Sequence, residues 1–378
     1  MTAVLDRAHR PAPAREHAVA IVHDYLTQRG GAERVVLSML EAFPQAPLYT
    51  SLYLPEATFP EFRTVDVRTL PLNRIRLFRR FHRLALPFYP ASFTSLKIDA
   101  DVVLCSSSGW AHGVRATGRK IVYCYSPARW LYQSDRYLGD GASVSRAALA
   151  LLRPLLRRWD ARVARTADRY VTLSTVVRER IEATYGLQAD IVPLPQTIDV
   201  GGRQRRLELE PGFWLCASRL LPYKNVDAVV GAFADLPQEQ LVVAGDGPER
   251  GRLEVRAGAN VRFVGVADDE TMRWLYASSA GLIAASHEDF GLTPLEANAF
   301  GRPALVLRAG GFLDTTDEGV SGLFFDEPSP AAVATAIRQA RDHPWSTAAI
   351  EANAGRYEER RFIEGLRAIV SSVMDGSE

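Results

Sequence analysis

The 378-residue sequence has three cysteines and almost no net charge, with 45 Lys+Arg against 44 Asp+Glu. It has no apolar run approaching the ~18 residues that cross a bilayer. Cys105, Cys124 and Cys216 all fall in strand-like apolar segments. An odd number of thiols so placed reads as buried side chains in a reducing compartment, with no disulfide framework and no metal site. The first eighteen residues, MTAVLDRAHRPAPAREHA, contain no stretch long enough for a signal-peptide core. Residues 1–16 read as a disordered leader and the protein as cytoplasmic. A composition 47% hydrophobic and 24% charged excludes an intrinsically disordered chain. The length predicts two domains.

The balanced total conceals an imbalance. Residues 16–200 hold 24 basic and 17 acidic residues, a net of +7, whereas residues 201–378 hold 18 and 26, a net of −8. From His17 onward short apolar runs alternate with amphipathic stretches, the pattern of βα units around parallel sheets. Strands are predicted over 18–26, 46–53, 64–68, 102–106, 120–124, 169–173 and 190–192, with helices over 32–43, 73–86 and 143–166. A second series starts at Phe213 with FWLCASR and continues through LVVAG, VRFVG and AGLIAAS, each followed by a helical segment. The stretch PLPQTIDVGGRQRRLELEPG has no sustained period. The organisation predicted is an amino-terminal Rossmann-like domain over 17–200, a linker over 201–212, a second Rossmann-like domain over 213–345, and a helix over 346–378 able to pack on either domain. In open α/β sheets ligands bind at the carboxyl ends of the strands.

Chemistry concentrates at such ends. Arg219 closes the strand FWLCASR and Lys224 follows five residues later. The pair is either a diphosphate clamp or two solvated charges. The segment AGLIAASHEDFGLTPLEANAF places Glu288, Phe290 and Gly291 in a loop, after which Thr293 and Pro294 open a helix. Free amides at a helix start suit a phosphate. Thr293-x-x-Glu296 also fits a capping box that needs no ligand. Glu288 has no such structural reason, and a carboxylate beside a phosphate site suits sugar hydroxyls. Gly30 and Gly31 follow the first strand and permit close approach across a cleft, or simply form a loop. His112 lies past the end of the strand DVVLCSS.

HEDFGLTPLE resembles the E-x7-E signature of retaining GT-B glycosyltransferases of the GT4 family, here Glu288 to Glu296. SRLLPYKNVD resembles the diphosphate-binding Arg and Lys of that family, and AGDGPER and FVGVADDE its two intervening strand-turn elements. VHDYLTQRGGAERVV is similar to the glycine-rich loop of a subgroup that includes mannosyltransferases of bacterial polysaccharide assembly. The likeness runs in order from about Ala18 to Phe325. It implies a GT-B fold and transfer of a hexose, plausibly mannose from GDP-mannose, from a nucleotide-diphosphate donor to a saccharide or polyprenyl- or lipid-linked acceptor. No divalent metal is required, because Arg219, Lys224 and the amides of Gly291, Leu292 and Thr293 neutralise the leaving group. Glu296 would accept ribose hydroxyls, Glu288 would face the donor sugar, and Gly265 and Val266 would border the base. His112 would orient the sugar, and Gly30 and Gly31 would approach the phosphate. The sequence departs from the subgroup at Tyr125-Ser126-Pro127, where His-Thr-Pro is usual, so acceptor contacts there stay open.

Two rivals share the donor site: a GT-B sugar-nucleotide epimerase and a non-catalytic nucleotide-sugar-binding protein. A dinucleotide oxidoreductase is disfavoured, because no Gly-x-Gly-x-x-Gly follows the first strand. Residues 74–90, RIRLFRRFHRLALPFYP, mix five Arg and a His with Leu, Phe and Tyr at helical spacing. They form either a helix for peripheral contact with anionic lipid or one with its apolar face in the core. RPLLRRWDARVAR is a second basic segment. No recognised nucleic-acid motif accompanies the charge.

Overall fold

The structure, a computed structural model, describes residues 17–132 and 143–376. The leader expected over residues 1–16 lies outside the described residues. The chain builds two open parallel sheets. In the first half run β1 (Val19–His23), β2 (Leu48–Thr50), β3 (Val67–Thr69), β4 (Lys97–Ile98), β5 (Val102–Ser107), β6 (Arg115–Ala116), β7 (Arg119–Cys124), β8 (Arg169–Thr172) and β9 (Asp190–Ile191). Seven of them form one sheet in the order β3-β2-β1-β5-β7-β8-β9, while β4 and β6 make a separate ribbon. The second half contributes β10 (Trp214–Ala217), β11 (Leu241–Ala244), β12 (Val261–Gly265), β13 (Gly281–Ala284), β14 (Ala304–Leu307) and β15 (Gly322–Phe325), in the order β12-β11-β10-β13-β14-β15. Strands such as VAIVH in β1 and LVVA in β11 are apolar on both faces because helices cover both, and every residue in them is buried. Cys105, Cys124 and Cys216 are free and buried in these sheets.

Each sheet reverses its winding once. In the second sheet this happens between β10 and β13, neighbours registered through Trp214–Gly281 and Leu215–Leu282. The residues leaving the carboxyl ends of these two strands therefore face one crevice. They are Ser218-Arg219 on one side and the loop from Ser286 to Gly291 on the other.

Three regions differ from expectation. The single helix predicted from residue 346 is two, Thr347–Gly355 and Glu359–Asp375. The break falls where the backbone of Tyr357 accepts from the Gln196 amide at 2.7 Å and its hydroxyl donates to the Asp314 carbonyl at 2.6 Å. The second helix lies on the amino-terminal half: Arg367 Nε donates to the Ala42 carbonyl at 3.0 Å, and the Phe362 ring meets Tyr123 edge-on at 5.6 Å. The expected linker is docked on the carboxyl-terminal half. Leu207 and Leu209 pack against its core, and Arg205 pairs with Asp268 and Glu270. The helix expected over 73–86 is divided into a 3-10 turn Pro71–Arg74, a short α-helix Arg76–Arg80, a 3-10 stretch His82–Phe88 and a further α-helix Tyr89–Ser95. Pro71, Pro87 and Pro90 each remove a backbone donor. Tyr25 stacks on His82 at 4.8 Å, and the Tyr89 hydroxyl donates to the His82 carbonyl at 3.1 Å.

Candidate active site

The crevice is assembled from turns held together by glycines and one left-handed asparagine. A Cβ on Gly245 would stand 1.9 Å from the Ser218 carbonyl oxygen, and one on Gly247 would stand 2.3 Å from that of Leu220. The GDG turn after β11 thus presses against the turn after β10 and fixes the backbone that carries Arg219. Next comes the 3-10 turn Pro222–Lys224, and Asn225 leaves it at φ 51°. The Asn225 side-chain amide donates to the Ala285 carbonyl at 2.9 Å, which ties the turn to the end of β13.

That tie brings Lys224 onto Glu288. The Lys224 ammonium and the Ser286 hydroxyl both donate to Glu288 Oε1. The Lys224 ammonium also lies 5.3 Å from the centre of the Tyr223 ring. Burial acts to raise the Glu288 carboxyl. The adjacent ammonium, its hydrogen bond, that from Ser286 and the charge of Arg129 outweigh it, so the group is held below the usual carboxylate range. Glu288 is therefore not the unexplained acid that its sequence position implied, since it has a lysine partner 64 residues away. Arg219 is exposed, and its guanidinium has no partner among the described residues.

The helix after the loop starts two residues earlier than predicted, at Leu292 in place of Pro294, with Gly291 as its N-cap at φ 105°. A Cβ at Gly291 would lie 2.5 Å from the Phe312 ring, so both conformation and space demand glycine. Pro294 is then the third helical residue, and Thr293 is not a cap. The capping-box reading of Glu296 falls with it. Glu296 Oε2 instead accepts from the Tyr276 hydroxyl at 2.5 Å. Burial raises this carboxyl, against Tyr276 and the charge of Arg34. Among the described residues the amides of Gly291, Leu292 and Thr293 have no partner, as befits a first helical turn. Phe290 is buried and meets the Tyr357 ring at 5.8 Å, so its side chain packs in the core behind the loop. Gly265, at φ 72°, accepts from the Gly245 amide at 2.7 Å, and Val266 beside it is exposed at the end of β12.

On the amino-terminal side, Gly30 is the N-cap of the helix Gly31–Ala42. A Cβ there would meet the end of the Glu33 side chain, Oε2 at 2.5 Å. Gly31 faces open space. Glu33 is buried, and burial lifts its carboxyl to about 7 against bonds from Gln28 and nearby amides. Asp24, lifted by burial to about 6, accepts from the amides of Ser108, Trp110 and Ala111 at 2.7, 3.2 and 2.6 Å. It fastens the end of β1 to the loop after β5.

His112, expected to orient the sugar, sits just past the end of β5. It is 3% exposed, its Nδ1 is 2.9 Å from Ser107 Oγ, and its Nε2 is 3.1 Å from Asp160 Oδ1 without hydrogen-bond alignment. Both ring nitrogens face protein groups, because the short 3-10 turn Ala111–Gly113 points the ring inward onto Trp159. Nδ1 is thus engaged by Ser107, while Nε2 has no hydrogen-bond partner among the described residues.

Sequence reading missed the pair of arginines that reach across the crevice. Arg129 and Arg180, both from the amino-terminal half, take the two carboxylate oxygens of Asp289; the Arg180 contact is 2.9 Å. Arg180 also donates to Ser126 Oγ at 2.8 Å, and the Thr175 amide donates to Asp314 at 2.8 Å. Asp289 was visible beside Glu288, but its partners stand 160 and 109 residues away with no local signal.

The comparisons agree with this architecture. The crystal structure of Anabaena Alr3699/HepE in complex with UDP and glucose superposes with a TM-score of 0.70 at 15% identity, covering 94% of this chain and 100% of that one. A GDP-mannose-dependent alpha-(1-6)-phosphatidylinositol dimannoside mannosyltransferase of Mycobacterium tuberculosis (strain ATCC 25177 / H37Ra) is 30% identical over 202 residues, 49% of this chain and 52% of the relative. A D-inositol 3-phosphate glycosyltransferase of Acidothermus cellulolyticus is 26% identical over 243 residues, 56% of this chain and 54% of the relative. The chain thus spans about half the length of these curated relatives. Residues 29–201 match the family described as Glycosyltransferase Family 4, and residues 203–357 match Glycosyl transferases group 1. With these two matches laid end to end over two facing parallel sheets, the chain belongs to the GT4 family of glycosyltransferases and has the GT-B fold.

Proposed function

We propose that this protein is a retaining, metal-independent hexosyltransferase that moves a sugar from a nucleoside diphosphate to a saccharide or lipid-linked acceptor. The observation that carries the reading is the Lys224–Glu288 pair, set where β10 and β13 end, beside an unpaired Arg219 and three free amides. A diphosphate entering here meets Arg219 and the helix start, and it competes with Glu288 for Lys224. Once the ammonium turns to phosphate, the Glu288 carboxylate is free for the donor sugar or for the positive charge that develops on its reacting carbon. The departing diphosphate is neutralised by cations of the chain itself, so the chemistry calls for no divalent ion. The acceptor attacks from the face the diphosphate leaves, and configuration is retained. No side chain is assigned as a nucleophile.

GDP-mannose is the first donor to try, because the mycobacterial relative is named for it. UDP-glucose is the second, because UDP and glucose are bound in the Anabaena structure. Glu296, with Oε2 already on Tyr276, offers its other oxygen to ribose hydroxyls, and the Gly265-Val266 backbone borders the base. The deciding experiment measures binding of GDP and UDP by calorimetry and sugar transfer by product analysis, for the wild type and for Glu288→Gln. The expected outcome is one tight nucleotide, retained by the variant within about threefold, with turnover lowered by at least ~100-fold. Equal turnover removes Glu288 from the mechanism, and a product that is only an epimerised donor replaces transfer with epimerisation.

A further inference from the structure

The basic segment after β3 has more apolar surface than its own packing uses. Between Asp66 and Asp99 the sequence contains no acidic residue. Within that stretch Ala85, Tyr89 and Phe93 point inward and are buried; Tyr89 packs on Trp110 at 5.1 Å and on Tyr25 at 6.4 Å. Ile75, Leu77, Phe81, Leu84 and Phe88 point outward, each between 44% and 53% exposed. Five of the twelve exposed large hydrophobic side chains of the described residues thus fall within fourteen consecutive positions. Arg74, Arg76 and Arg80 are exposed among them and Arg79 half-buried, and none of the four has an ion-pair partner among the described residues. Arg80 lies over the Phe81 ring at 5.6 Å.

The division of the segment into short helical pieces is what presents this surface. A continuous helix would have a single apolar stripe, and that stripe would face the core. The turns at Phe81 and at Pro87 fold Arg76–Arg80 back against His82–Phe88, with Phe78 and Phe88 in contact at 5.5 Å, and leave a second apolar face outside. The helix Ser143–Ala164 adjoins through Trp159 Nε1, which donates to Thr94 Oγ1 at 2.9 Å. It adds exposed Arg158, Arg162 and Leu155.

We infer that residues 74–88 dock this protein on an anionic lipid surface, with the five apolar side chains entering the headgroup and acyl boundary and the arginines meeting lipid phosphates. Nucleic acid would use the cations and leave the apolar side chains in water. A second copy of the chain would set arginine against arginine. Among the described residues no helix is long and apolar enough to cross a membrane, so this contact is an attachment and no span. As the side on which a lipid-linked acceptor would arrive, the surface rests on the transfer reading above. Its test does not, because vesicle binding is read without donor or acceptor.

The test is co-sedimentation of the full chain with vesicles of phosphatidylcholine alone and with about one third phosphatidylglycerol, at low and high salt. Binding is expected only to the anionic vesicles, to weaken with salt, and to fall at least about tenfold in Phe81→Ser/Phe88→Ser and in Arg76→Gln/Arg80→Gln. All four side chains are exposed, so melting temperature and nucleoside diphosphate affinity should stay at wild-type values and serve as the control for folding. Absence of binding to anionic vesicles overturns the inference. So does binding that the substitutions leave unchanged, or a concentration-dependent dimer that the same substitutions dissolve.

Discussion

At the scale of the residue, the candidate site centres on a carboxylate kept ionised by a lysine that the proposed reaction also needs for phosphate. Glu288 in the folded protein titrates below its ordinary value. The stabilisation this represents is present above the ordinary carboxylate pKa and is lost as pH falls through the lowered one. Lys224→Ala removes the largest of the opposing causes and leaves burial, so the Glu288 carboxyl moves upward. Two readouts follow. Nucleoside diphosphate affinity should fall by ~1.5–3 kcal/mol, the size of a charged hydrogen bond. The acid limb of the residual activity profile should shift to higher pH. An unchanged dissociation constant would sink the clamp, and an unmoved acid limb would detach Glu288 from Lys224. The sequence made both residues conspicuous through their spacing from strand ends. Their pairing was not legible, because a hydrogen bond over 64 positions depends on how the Asn225 turn docks on β13.

At the scale of the element, the loop from Ser286 to Gly291 is held from both halves of the protein. Lys224 and Ser286 take Glu288 from within the carboxyl-terminal half, while Arg129 and Arg180 take Asp289 from the other. Asp289 is nearly buried, so its removal strands Arg180, itself 15% exposed, without a counter-charge. A double-mutant cycle of Asp289→Asn with Arg180→Gln should return a coupling of ~0.5–3 kcal/mol in thermal or denaturant stability. Each single variant should also lower turnover more than nucleotide affinity, since the loop also carries Glu288. Additive effects would show that the cross-crevice contact holds nothing in solution. The strands themselves were plain from apolar runs and turn residues, and the helix after the loop was displaced by only two residues. That small shift mattered, for it moved the cap from Thr293 to Gly291 and released Glu296 from a capping role. Periodicity places an element but does not say which backbone amide begins it.

At the scale of the whole molecule, two halves of opposite net charge face one crevice, and the chain crosses between them twice. It leaves the first half near Gln196 and returns after Tyr357 to lay its last helix on the helix Gly31–Ala42. On the proposed reading the carboxyl-terminal half takes the donor in spite of its net −8, because Arg219, Lys224 and a helix start bring positive groups together locally. With the leaving group met by these cations, transfer by the purified protein should survive EDTA within about twofold. A loss restored by a divalent ion would refute the metal-free reading.

The alternation of apolar runs and amphipathic stretches determined the parallel sheets, the number of domains and the order of the donor motifs, because burial on both faces of a strand must be encoded locally in side-chain type. Where a side chain ends up was decided by the tertiary structure alone. His112 lies past a strand end like the other candidate residues, and a three-residue 3-10 turn aims its ring inward. Residues 74–90 have the pattern of one amphipathic helix, yet prolines and the Tyr25–His82 stack divide it and leave Arg74, Arg76, Arg80, Phe81 and Phe88 outside while Tyr89 turns inward. Asp289 reads as a neighbour of the signature glutamate and serves as an anchor between halves. Local sequence specifies propensity and polarity over a few residues; the partner that satisfies a buried charge, or the absence of any cover for an apolar face, is a property of distant segments brought together.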